Sequence, residues 1–132
     1  MYALLLVSSI YISIVDIRTH KVRNRTLILT ATVFAATTFV GKGQIHLASS
    51  LAIFSLGFIA MYFGLGAGDV KLAALLGLFF LPLEISRWSD FIEGFILGGV
   101  LLLIVHLISR RSFADPIALA PAICAAFIWC AR

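Results

Sequence analysis

Apolar residues along the chain fall into blocks, and polar residues gather only between them. Six blocks can be marked, at 1–15, 27–40, 47–65, 72–83, 91–108 and 117–131. They are solid runs of Leu, Ile, Ala and Phe, not the alternating segments of a transmembrane barrel, so each predicts a helix. Several are shorter than the roughly 20 residues that cross a bilayer upright. Those must recruit flanking polar residues or stop short of the full thickness. The pattern predicts an all-α, polytopic membrane helix bundle of about six transmembrane helices, forming a single domain over 1–132. Local punctuation adds detail. Asp115-Pro116 reads as an N-cap with Pro at the first helical position of the last span. Asp90 with Glu93 reads as a capping box opening the fifth. Gly94-x-x-x-Gly98 reads as a close helix-packing face, and Pro121 as a kink in the sixth helix.

Composition sharpens this picture. Of 132 residues 62% are hydrophobic and only 12% charged, which excludes both an ordinary water-soluble fold and a disordered chain. The net charge of +4 comes from short clusters between apolar runs, so nucleic-acid binding is not indicated. Loops one, three and five carry Arg18, Lys21, Arg23, Arg25, Lys71, Arg110 and Arg111, against Lys42, Arg87 and Arg132 on the other side. The positive-inside rule then places those three loops in the cytoplasm and the N-terminus outside. The first run lacks a basic n-region and a small-residue cleavage site, so it is not a signal peptide. Cys124 and Cys130, six apart, point to different sides of a helix, which suggests neither a disulfide nor a metal site.

Candidate chemistry rests on few residues. Glu84, Asp90, Glu93 and Asp115 are explained as caps or outer-loop charges. Asp16 ends the first apolar run, and Asp69 lies in the glycine-rich break Gly64-Leu65-Gly66-Ala67-Gly68-Asp69-Val70-Lys71. Both belong to the cytoplasmic side, so both can meet at one membrane face, where ionisable groups point to function. Two close carboxylates share a proton: one activates water as it attacks a peptide carbonyl while the other donates to the carbonyl oxygen. Gly66 and Gly68 would allow close backbone approach and turn geometry that a side chain forbids. The competing structural reading has Asp16 capping a helix end and Asp69 pairing with Lys71. A phosphate loop is excluded because Lys71 is followed by Leu72, with no hydroxyl for magnesium. His20, His46 and His106 form no ligand cluster, so no metal and no cofactor are expected, and His106 reads best as a hydrogen-bonded structural histidine.

These two aspartates with their neighbours resemble the type IV prepilin peptidase family. The first motif reads Asp16-Ile17-Arg18-Thr19-His20-Lys21-Val22-Arg23-Asn24 and the second Gly66-Ala67-Gly68-Asp69-Val70-Lys71; the stretch from Pro116 to Ile123 is similar to the family's proline-containing last helix. The resemblance implies an aspartic endopeptidase of the inner membrane that cuts the basic leader from prepilins or pseudopilins at the cytoplasmic face. It implies Asp16 and Asp69 as the catalytic pair, with Gly66, Gly68, Lys71, Arg18 and Asn24 as supporting positions. The basic residues of the first loop are expected to hold orientation and contact anionic lipid headgroups; Lys71 would bias Asp69 toward ionisation or snorkel to the interface. Larger relatives carry an extra domain with paired cysteines and methylate the new N-terminus. This chain begins at the first catalytic helix without such a pair, so peptidase activity without methyltransferase activity is expected, as in the small members that serve tight-adherence pili and preflagellins. Arg23 replaces a Pro that relatives often carry before the Asn. The alternative from another class is a small proton-coupled transporter using Asp16 and Asp69 as relay carboxylates, although the glycine break has no counterpart in the other half of the chain. No residue pattern fixes an oligomeric state.

Overall fold

The computed structural model describes residues 2–19, 24–108 and 117–132, and within them six α-helices. These are α1 (Tyr2–Thr19), α2 (Asn24–Val40), α3 (Leu47–Met61), α4 (Ala67–Phe80), α5 (Ile85–Ile108) and α6 (Ala120–Cys130). No strand occurs among the described residues. Two helices, α4 and α6, are short and buried on most of their circumference. Val70, Leu72, Ala74, Leu76, Gly77 and Phe79 are buried in α4; Ala120, Ala122, Ile123, Cys124, Ala126, Phe127 and Cys130 in α6. A helix that is apolar all round belongs inside other helices, and these two are the centre of the fold. α4 packs against α2, α3 and α6, while α6 packs against α1, α4 and α5.

Small residues set the closest approaches. A Cβ at Gly94 would lie 2.9 Å from the Ala126 Cα and one at Gly98 3.1 Å from the Ala122 Cα. The expected Gly94-x-x-x-Gly98 face therefore exists, and it seats α5 on the small-residue stripe of α6. Gly57 and Gly77 do the same for α3 on α4, where added Cβ atoms would run into Val70 and Ile53. That pair is also tied by Ser50 Oγ donating to the Ala74 carbonyl (2.9 Å) and His46 N–H to the Leu78 carbonyl (2.7 Å). Phe34 holds α2 against α4 through Phe79 and Phe80, with ring centroids 5.7 and 5.1 Å away.

The outer surface is apolar. α5 buries only Gly94 and His106, leaving Ile92, Ile96, Leu97, Val100, Leu101 and Ile104 exposed. Such a continuous apolar belt needs covering, and α1 and α5 are long and apolar enough to cross a membrane.

Three local expectations are corrected. α5 begins at Ile85, so Asp90 and Glu93 lie inside the helix and form no capping box at its start. Pro121 stands at the first positions of α6, where its missing N–H and fixed φ fit the helix start, so it opens the helix and does not kink it. α4 begins at Ala67, placing Asp69 in a helical first turn and not in a loop. Asp115-Pro116 lies outside the described residues; the helix that follows starts at Ala120, with Leu119 as its N-cap. Cys124 and Cys130 are buried free thiols.

Candidate active site

Asp16 stands near the end of α1 and is 4% exposed. α1 packs on α6, and there the Ala120 N–H donates to Asp16 Oδ2 at 3.1 Å. The first turn of any helix has N–H groups without intrahelical partners, and α6 has no side-chain cap of its own. Asp16 supplies that cap from 104 positions away in sequence. The capping reading of Asp16 is thus half right: it caps a helix, but α6 and not α1. A carboxylate has lone pairs to spare, so the cap leaves it chemically usable.

Asp69 occupies the third position of α4. Gly66 is the N-cap, in ordinary extended geometry at φ −68°, and accepts the Asp69 N–H at 3.0 Å. Turn geometry is therefore not what Gly66 provides; that requirement falls on Gly64, at φ +94°. Gly66 instead leaves room for the carboxyl: a Cβ there would lie 3.0 Å from Asp69 Oδ2 and press on it. Gly68 is a helical residue of α4. Asp69 precedes the apolar run 72–83, at its polar boundary, and its carboxyl is pushed up from 3.8 to about 6, first by burial and then by the Asp16 charge. The two aspartates of the two motifs are thus near enough for the charge of Asp16 to act on Asp69, and they stand in unequal surroundings.

The supporting positions divide. Lys71 is exposed, and its Nζ donates a long 3.5 Å hydrogen bond to Asn24 Oδ1 at the start of α2, linking the two sequence motifs. Burial and the Asp16 charge are what raise the Asp69 carboxyl. Arg18 is exposed at the end of α1; Lys21 and Arg23 lie outside the described residues. His106 is buried at the end of α5 and engaged in contacts of its own. Among the described residues no set of three His, Cys, Asp or Glu gathers to hold a metal ion.

Beside Asp69 opens a cavity of about 200 Å³. Ala60 and Leu56 form its α3 wall, Val70 and Ala73 its α4 floor, and Trp88, Phe91 and Phe95 its α5 wall. Asp69 is its one ionisable lining residue. Sequence reasoning missed this cavity, and it missed the Ala120 N–H. The only signal for the second was the proline pair around the start of α6.

The chain matches the model of the type IV leader peptidase family over residues 3–131, nearly its whole length. It belongs to that family. No curated protein and no solved structure matches it. Of the two aspartates, Asp69 borders the apolar cavity and Asp16 stands at the start of α6. Peptide hydrolysis needs a proton acceptor and a proton donor on opposite sides of one carbonyl.

Proposed function

We propose that this leader peptidase is an aspartic endopeptidase that removes the basic leader from type IV prepilins or pseudopilins, with Asp16 and Asp69 as its catalytic pair. The observation that carries the reading is the difference between their environments. Asp16 accepts the Ala120 N–H at the N-terminus of α6, while burial and the Asp16 charge favour the protonated form of Asp69 and so give it the donor's part. Environments that push two carboxylates apart assign acid and base. Asp16 takes a proton from water as the water oxygen bonds to the scissile carbonyl carbon. Asp69 donates its proton to the carbonyl oxygen. Collapse of the tetrahedral intermediate breaks the C–N bond, returns the oxygen's proton to Asp69 and passes the Asp16 proton to the leaving amine.

The setting is a plasma (inner) membrane, crossed by all six helices of one domain, with the N-terminus outside and the pair facing the cytoplasm. Charge distribution supports this orientation: Arg18, Arg25 and Lys71 stand at the Asp16–Asp69 end, placed to meet anionic headgroups. At the opposite end Arg87 caps α6 by donating to the Cys130 carbonyl (2.9 Å), and Arg132 lies 3.9 Å over the Trp129 ring. Tryptophan and arginine are characteristic anchors at an interface.

The test is a gel-shift cleavage assay in membranes, with a cognate prepilin co-expressed beside wild type, Asp16→Asn and Asp69→Asn. Loss of the shortened band in both variants at equal enzyme levels is expected. Cleavage persisting in either would sink the pair, and loss of a proton-coupled flux instead would favour a transporter.

A further inference from the structure

α3 packs on α4 alone and α5 on α6 alone; among the described residues the two outer helices do not approach each other. The cavity beside Asp69 is the space this leaves, floored by α4 and α6 and walled by α3 and α5. We propose that the cleft between α3 and α5 is the binding groove for one apolar helix of the peptide substrate, received sideways from the membrane with its scissile end at Asp69. The proposal rests on the peptidase reading above and adds the route and the surface.

Three features favour a peptide helix as occupant. First, the walls differ in kind: small Ala60 and Ala73 permit close backbone approach, and facing them Trp88, Phe91 and Phe95 follow one another at helical spacing. Such a pairing grips a helix by its side chains. The cavity's 200 Å³ holds the side chains of one face, while the helix itself lies in the gap. Second, the lining is apolar except at one end, where Asp69 sits. A lipid tail there would leave a half-exposed carboxyl against hydrocarbon, which is costly. A peptide instead presents a carbonyl to Asp69 and apolar side chains to the rest. Third, outward of the cleft both helices show lipid-facing side chains, Leu51, Phe54 and Phe58 on α3 and Ile92 and Ile96 on α5. The approach to the groove is therefore through lipid.

The experiment places a photoreactive benzoylphenylalanine in the full-length, membrane-inserted Asp69→Asn enzyme, at Phe95, at Leu56, or at the lipid-facing Leu101 as control, beside a tagged cognate prepilin. Irradiation is expected to cross-link the substrate's apolar segment from 95 and 56 at least ten times more than from 101. Equal yield from all three positions, or none from 95 and 56 at matched insertion, would overturn the groove. Cleavage is followed separately in the otherwise wild-type enzyme. Cross-links at 95 and 56 without cleavage would remove the peptidase reading yet keep the groove. A second variant, Ala73→Phe, fills the floor and is expected to raise KM about ten-fold with kcat little changed; an unchanged KM would count against the groove.

Discussion

Asp69 carries a cost that its fold tolerates. Its carboxyl binds a proton more tightly in the native state, at about 6, than at its ordinary 3.8, because burial and Asp16 disfavour its charge. Stability therefore falls as pH rises through that window and stays lowered above it. Asp69→Asn should accordingly melt at a higher temperature than wild type in detergent at pH 7.5. The difference should shrink toward zero below pH 4, and the effect should be small because the side chain is half-exposed. A variant that melts lower at pH 7.5 would mean Asp69 is structural. The same value sets a kinetic expectation. kcat/KM reports the free enzyme, so its alkaline limb should lie near pH 6, as a property of the coupled pair. A profile flat from pH 5 to 8 would contradict Asp69 as the proton donor. Both aspartates were legible in the sequence because charge at the edge of an apolar run is conspicuous. What each touches was not legible: the partner of Asp16 is a backbone amide 104 residues away, and no side-chain pattern encodes that.

Helix boundaries follow the same logic. The six apolar blocks foretold six helices because composition within each block is uniform. Their ends were harder to read, since polar residues can sit inside a helix as easily as cap it. Asp90 and Glu93 looked like a start and are interior, four turns' worth of apolar surface on α5 having outweighed them; Asp69 looked like loop and is helix. The small-residue stripe was readable and testable. Gly94→Leu would drive a side chain into Ala126 and Trp129, both 2.9 Å from a Cβ at that position. The expected cost is about 1–3 kcal/mol, seen as lowered thermal stability or reduced yield of inserted protein. Gly99→Leu, with nothing within 4 Å of its Cβ position, is the matched control and should be nearly neutral. Equal losses from both would show that α5 does not depend on the stripe.

For the molecule as a whole, the lengths of the helices matter as much as their contacts. α4 has 14 residues and α6 has 11, about 21 and 16 Å long, against a hydrocarbon core of about 30 Å. Both are enclosed by neighbours on most of their circumference. Their N-termini are the two places where the aspartates sit. A second inequality runs around the outside. α3, of 15 residues, measures about 22 Å, and α5, of 24, about 36 Å. If both helices span as proposed, a bilayer around this protein meets about 22 Å of helix at α3 and about 36 Å at α5, and thinning beside α3 would put a step in thickness across the gap between them. Lipids at such a step would pack poorly and be easily displaced, which would make the membrane weakest where the cleft opens. Turnover in vesicles should then fall as acyl chains lengthen, because a thicker bilayer resists the step. A rate indifferent to chain length would show that the lipid plays no part in admission.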